Sequence, residues 1–341
     1  MMLNFDVLDR ESESWDKLVK GSCIYDFHHT SHYHKIDNAN PSKLLVFSNE
    51  ESFIALPVVM RSIPETGLFD LTSVYGYAGP VGRIKEQDKE ELGAFFKSQF
   101  EAYCKENNVV SAFARLHPLI NQKFLLEGLG EIIDLNKTVS VDLTISADEQ
   151  RRAYRKSLKS ELNQLRRKDF LVEETKGKNE IDRFISIYYE TMDRVKATPD
   201  YYFTKQYFYD FLSTEAFHSK LLVAKFEEEV VAGAIFTYTD KIMQYHLAGT
   251  TEAFIRDTPM KLILDEARLL GNQLGLHYLH LGGGVGGSDE DSLFRFKSGF
   301  SKSFKQFSVW KYIVDENQYN QLVEAKPTID KSSNFFPLYR A

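Results

Sequence analysis

Apolar positions along this chain alternate between two spacings, and the alternation predicts its elements. Leu92, Phe95, Phe96, Phe100, Tyr103 and Cys104 recur at helical spacing and predict an amphipathic helix, followed by a strand at Val109–Ala114. Met260, Ile263, Leu264, Ala267, Leu270 and Leu274 make a second such stripe, followed by the strand-like Leu276–Leu281. Between them, Ile181, Phe184, Ile185, Tyr188, Tyr189 and Met192 form one helical stripe. Tyr202, Phe203, Tyr207, Phe208, Phe211 and Leu212 form another, with Pro199-Asp200 breaking the two.

The pattern repeats. Lys43-Leu44-Leu45-Val46, Glu50-Glu51, Ala55 and Val58 overlay without a gap on Lys220-Leu221-Leu222-Val223, Glu227-Glu228, Ala232 and Ile235. Each copy reads as strand, acidic turn, strand. Each is then followed by a further strand, an amphipathic helix and another strand, which predicts two copies of one α/β unit with mixed sheets packed by helices. The change of domain is expected where Thr138–Leu143, strand-like, runs into the helix start at Thr144–Asp148, giving domains over 1–145 and 146–341.

Composition narrows the class. Over 341 residues, 43% hydrophobic and 27% charged describe a globular chain of two domains, and a net charge of −7 argues against a surface wholly given to nucleic acid. Arg151 to Lys159, continuing to Arg166-Arg167-Lys168, is a local exception of helix length. It reads as a solvated face or a phosphate-binding one, with Arg155 the candidate contact. Cys23 and Cys104 have no metal-ligand spacing and read as buried thiols. His28, His29, His32 and His34 are expected to form a polar rim around a cleft, and no metal site is predicted. No apolar run is long enough to span a bilayer and the first residues do not form a signal peptide, so a cytoplasmic location is expected, with peripheral membrane contact left open.

The chemistry concentrates near the carboxyl end. Leu281-Gly282-Gly283-Gly284 ends a strand in three glycines, where a ligand can approach the backbone closely. An acidic loop through Asp289 and Asp291 follows, and then Phe296-Lys297-Ser298-Gly299-Phe300. Tyr245 and His246 adjoin on the preceding strand and are expected to point to opposite faces. Before the second helix, Arg256, Asp257, Thr258, Pro259 and Lys261 form a helix start with Thr258 or Asp257 as its cap, suited to an anion.

This order of elements resembles the GNAT acyltransferase unit, and two in tandem resemble the FemAB-type transferases. The residues that carry the likeness are the glycine strand end with its Phe-Lys loop, Tyr75-Gly76-Tyr77-Ala78-Gly79-Pro80, Arg115-Leu116-His117-Pro118-Leu119, and Arg151 to Lys159. The resemblance implies an α/β fold of two GNAT-like domains packed around a shared cleft. It also implies an enzyme that moves an acyl or aminoacyl group onto an amine of a cell-envelope or glycan precursor, small or linked to a lipid or nucleotide.

Carried over residue by residue, Lys297 is the electrophilic group or a phosphate grip and Tyr245 stands near the acceptor. At most one of Tyr245 and His246 faces the cleft; His246 is a candidate proton acceptor, and so is His117, where the family pattern often has an acid. Gly282, Gly283, Gly284, Phe296, Arg256, Thr258 and Lys261 are implied at the donor. Tyr75, Tyr77, Arg115 and Arg155 are implied at the acceptor. Acyl-CoA is the favoured donor, although the helix start at Thr258 lacks the glycine-rich pyrophosphate loop of acetyl-CoA enzymes. Aminoacyl-tRNA is the alternative donor, and a non-catalytic module that binds carbohydrate or peptide is the alternative of another class.

Overall fold

The computed structural model describes residues 2–37, 39–121, 123–284, 291–326, 328 and 330–341; Asp289 of the expected acidic loop lies outside them. In chain order the elements are β1 (Asn4–Asp9), α1 (Glu13–Lys20), α2 (Ser31–Asp37), β2 (Ser42–Ser48), β3 (Phe53–Ile63), β4 (Leu68–Thr72), β5 (Val81–Arg83), α3 (Lys89–Glu106), β6 (Val109–Leu116), α4 (Lys123–Leu126) and β7 (Glu131–Asp142). There follow α5 (Ala147–Arg152), α6 (Lys156–Arg167), β8 (Leu171–Thr175), α7 (Lys178–Arg194), α8 (Lys205–Ser213), β9 (His218–Phe226), β10 (Glu229–Tyr238) and β11 (Ile242–Thr250). The chain closes with α9 (Met260–Gln273), β12 (Tyr278–Gly282), α10 (Ser292–Lys297), β13 (Ser303–Ile313) and α11 (Glu316–Glu324).

These elements form two compact units, one of residues 1–135 and 306–341, the other of residues 136–305. The domain change expected near Leu143–Asp148 therefore falls just inside the second unit, and the C-terminal segment belongs with the first. The first unit's sheet runs β1-β2-β3-β4-β6-β13, with β5 also on β3. The second runs β8-β9-β10-β11-β12-β7. Both are mixed: β4 is parallel to β6 and β11 to β12, while their other neighbours are antiparallel.

The predicted hairpins are β2–β3 and β9–β10, but their turns differ. Ser48 pairs with Phe53 across a four-residue loop, in which the Asn49 side chain accepts from the amides of Glu51 and Ser52. Phe226 pairs with Glu229 across two residues, so Glu227 and Glu228 both take positive φ, as a tight hairpin requires. The helical stripes lie on their cores. Phe96 and Phe100 of α3 are buried with Leu45, Phe47 and Trp310 in the first unit, and Ile263, Leu264 and Ala267 of α9 with Met243 and Phe236 in the second.

The basic run, read as helix-length, breaks at Ala153–Arg155 into α5 and α6, because Tyr154 turns inward to donate to buried Asp265. Arg166 joins the same carboxylate at 2.8 Å, which removes it from the expected anion-binding face. Cys104 is buried as expected, but Cys23 is exposed. No helix among the described residues is long and apolar enough to cross a membrane.

Candidate active site

In the second unit a notch opens because two parallel strands part. β11 pairs with β12 only from Ile242 to Gln244, opposite Tyr278 to His280. Beyond Gln244, β11 continues beside β10 alone, and an extra residue, His246, interrupts that ladder between the pairs Phe236–Tyr245 and Ile235–Leu247. Such a bulge bends its strand and increases the local twist. β12 turns away at Gly282, which has φ +76°. At the point of parting, Gln244 Oε1 and His280 Nδ1 lie 2.7 Å apart, and Gln244 Nε2 donates to the Tyr245 carbonyl.

The bulge also sorts Tyr245 and His246 onto different surroundings. Tyr245 leans on Phe236 and the core beneath α9. Its hydroxyl has no hydrogen-bond partner among the described residues, and burial raises it well above the usual phenol range. His246 stacks on Phe211 of α8 at 4.7 Å, with Nε2 3.2 Å from the Tyr207 hydroxyl. The structure thus brings Tyr245 to the notch and sets His246 into an aromatic layer.

Lys297 ends α10, whose start is capped by Asp291 through the Phe294 amide. Its side chain is buried, against the ordinary expectation of a surface lysine, and its neighbour Phe296 is only half-buried. Nζ donates to the Gly283 carbonyl at 2.6 Å and lies 5.7 Å from the Tyr245 ring centre. Burial pushes the amine down to about 8, opposed by the charge of Asp291. An ammonium has three donors, so two N–H groups remain beside the Tyr245 ring for a ligand oxygen. A Cβ at Gly284 would collide with the Asp291 carboxylate, which explains the last glycine of the triplet.

The turn before α9 lacks the side-chain cap expected of it, and most of its amides are engaged within the chain. Neither Thr258 nor Asp257 caps the helix: Pro259 takes the cap position, and Thr258 has φ +58° with its hydroxyl turned to the Asp257 carbonyl. The amides of Thr251, Phe254, Ile255, Asp257, Thr258 and Lys261 all donate to backbone carbonyls, and that of Glu252 to the Glu190 carboxylate. A pyrophosphate held by backbone N–H groups needs them free. Lys261 is paired with Glu161 at 3.0 Å, and Arg256 is exposed.

In the first unit, the parting of β4 and β6 is filled by the chain itself. After Leu71 pairs with Ala112, the segment through Tyr75 and Tyr77 returns to β6, where the Ala78 amide donates to the Arg115 carbonyl at 2.7 Å and the His117 amide to the Ala78 carbonyl at 3.1 Å. Tyr75 is exposed, and Tyr77 packs edge-on to His117 and Phe307.

His117, read as a proton acceptor, lines a cleft of about 280 Å³ with Asn121, Lys123 and Gln306. Its ring nitrogens, however, are engaged elsewhere: Nδ1 accepts from the Leu119 amide, and Nε2 donates to Asp26 at 3.0 Å.

Asp26 is the residue that sequence reading missed. Buried, it accepts from the Phe27 amide, from His117, and from His28 Nδ1 at 3.1 Å. Burial alone would raise its carboxyl, but His28 and His117 hold it well below the usual carboxylate range. His28, His29 and His34 are buried too, so the expected polar rim is a core. Among the described residues no group of His, Cys, Asp or Glu is arranged to hold a metal ion.

Comparison with known proteins places this geometry. Residues 152–312 match the family model of the acetyltransferase (GNAT) domain. No curated protein matches the chain. Among solved structures, FemX is similar over 93% of this chain and 99% of its own, with a TM-score of 0.73 at 12% identity. L-PGS from Bacillus licheniformis is similar over 90% and 93%, with a TM-score of 0.57 at 15% identity. A conserved protein of unknown function from Bacteroides thetaiotaomicron is similar over 91% and 100%, with a TM-score of 0.61 at 11% identity. These likenesses are of fold.

Proposed function

We propose a donor and an acceptor for this chain, an acyltransferase that carries a GNAT domain over residues 152–312: it moves an aminoacyl group from an RNA-borne ester to an amine of a cell-envelope precursor. The observation that carries the donor is the turn before α9. Most of its amides are already committed, six to backbone carbonyls and that of Glu252 to a carboxylate, which leaves few for a backbone cradle around the pyrophosphate of an acyl-CoA. A donor held by side chains fits better. On and beside α6, the basic groups of Arg152, Lys156, Lys159 and Arg167 have no hydrogen-bond or ion partner among the described residues, and Arg155 has only a 3.5 Å contact with Glu161. Phosphates spaced along an RNA strand suit such a row.

At the reacting end, Lys297 Nζ and the glycine strand end can receive the oxygen of an ester carbonyl as it gains charge. The acceptor amine attacks the carbonyl carbon, and the RNA hydroxyl leaves with a proton. That the acceptor belongs to the cell envelope rests on the fold shared with FemX and with L-PGS.

A panel of acyl-CoAs and charged tRNAs, each tested for thermal stabilisation, decides between donors. At one hundred times its dissociation constant a ligand stabilises by about 2.7 kcal/mol. We expect a charged tRNA to raise the melting temperature and the CoAs to leave it unchanged; stabilisation by a CoA alone would return the donor to the thioester class. The basic row is tested separately. Arg155→Ala is expected to weaken tRNA binding and to reduce the slope of log affinity against log salt by about one. An unchanged slope would make this arginine part of a solvated face.

A further inference from the structure

The bend between α5 and α6 reaches the segment that carries Lys297. Tyr154 sits at the bend, buried, and its hydroxyl donates to Asp265 at 2.7 Å while accepting from Arg268 Nε at 2.7 Å. Arg268 is itself held by Asp265 at 3.0 Å and by Gln150 of α5 at 3.0 Å, so α5, the bend and α9 share one buried network. With its proton given and a lone pair taken, the Tyr154 hydroxyl has its direction fixed, and the ring with it. That ring meets Phe300 edge-on at 5.4 Å. The next residue, Arg155, points its amide out of the bend, to the Gly299 carbonyl at 2.8 Å. Leu158, at the start of α6, is buried in the same cluster as Phe294 and Phe300.

These contacts matter to a helix as short as α10. Six residues are too few to keep an orientation of their own, so the direction of the Lys297 stem depends on what the ends of α10 rest against. At the carboxyl end the Phe300 amide donates to the Lys297 carbonyl at 3.0 Å and the Gly299 amide to the Phe296 carbonyl at 3.2 Å, which closes a turn onto the helix. The bend grips that turn by a hydrogen bond and a ring together. The same bend opens α6, which bears Lys156 and Lys159 of the basic row. We infer that Tyr154 is a positioning residue for acyl transfer: it fixes the turn at Gly299 and Phe300, and through it the place of Lys297 relative to the basic row. The inference rests on the proposed function in that the row is taken to hold the donor; the contacts of Tyr154 are independent of it.

The test reads Lys297 itself, by carbon-13 NMR of the full chain grown with lysine labelled at Cε, the Lys297→Met spectrum identifying its signal. The wild-type amine is expected to titrate at about 8. Tyr154→Phe keeps the ring and removes the hydroxyl that ties it to Asp265 and Arg268. Its Lys297 is expected to titrate about one pH unit higher, toward the ordinary lysine value of 10.5, as the stem loosens and water reaches Nζ. Phe184→Leu, a loss of core packing on α7 of the same unit, should leave the midpoint in place. Arg268→Lys keeps a cation beside Asp265 but withdraws the donor from the Tyr154 hydroxyl. It is expected to raise the midpoint too, and it carries the test if Tyr154→Phe does not fold.

A midpoint unmoved in these two variants, or moved as far by Phe184→Leu, would overturn the positioning role and leave Tyr154 a support of the fold. The donor panel separates this from the reading it rests on: a charged tRNA that stabilises a chain whose Lys297 ignores Tyr154 removes the positioning role alone. A midpoint that follows Tyr154, with no donor of either class bound, keeps the positioning role and removes the donor assignment.

Discussion

Replacing Lys297 with alanine should lower turnover by on the order of 10² to 10³ while donor binding persists, the typical cost of losing one donor to a developing oxyanion. The expectation follows from position. Nζ is held by a single protein acceptor, the Gly283 carbonyl at 2.6 Å, at the end of a strand that has just parted from its neighbour. Lys297→Met separates chemistry from packing, because it keeps most of the buried stem and removes the charge. Stability should hold or rise, since burying an ammonium is unfavourable, while activity is lost as in the alanine variant.

The pH profile gives the sign of the role. Burial places the amine at about 8. Below that the ammonium form dominates, and above it the neutral amine. If Lys297 stabilises negative charge, turnover falls as pH rises through about 8. A rise over the same window would make it the proton acceptor instead, and would overturn the electrophilic role.

The tandem α/β architecture was legible because it depends on local pattern. The repeated hairpin and the stripes on α3 and α9 report which face is buried, and that is what sets a sheet between helices. Exchange of the C-terminal segment into the first unit was not, because the pairing of β13 with β6 joins residues nearly two hundred positions apart. Periodicity also missed the break between α5 and α6, since nothing local says that Tyr154 will turn toward Asp265.

At the site, the glycines, Lys297 and Tyr245 were visible as residue types, whereas their meeting rests on a bulge at His246 that no spacing announces. Asp26 carried no signal at all. A carboxylate in a sequence is a surface residue by default, and only the tertiary partners His28 and His117 make this one otherwise. The helix start at Thr258 illustrates the converse. Its residue types suit an anion site, but the chain spends most of its amides on its own carbonyls.

Asp26→Ala should destabilise the protein by about 3–5 kcal/mol, the cost of removing one partner from a buried charged network. The carboxylate alone answers three donors, the Phe27 amide and the imidazoles of His28 and His117, and no water can replace it without opening the core. Asp26→Asn keeps an acceptor oxygen and should cost less. Urea unfolding measures both, and a loss below about 1 kcal/mol for the alanine variant would show that the network is not a support of the fold.

The same cluster predicts acid sensitivity, with a sign that can be worked out. His29 and His34 are pushed down to about 3, chiefly by burial, with His117 adding to the effect on His29 and His29 to that on His34. In the unfolded chain each titrates near 6.5. Between these values the unfolded state binds protons that the folded state refuses, so stability falls as pH drops from about 6.5 toward 3. Asp26 acts in the same direction but only at lower pH: its contribution is complete above the unfolded value near 3.8 and is lost as pH falls through its depressed folded value. Across the window the histidines therefore govern. His34→Phe, which keeps a ring against Trp15, should flatten the decline measured by urea unfolding at stepped pH. A wild-type stability unchanged from pH 6.5 to 4 would mean that these imidazoles are charged in the fold, and that the buried cluster carries more positive charge than one carboxylate can balance.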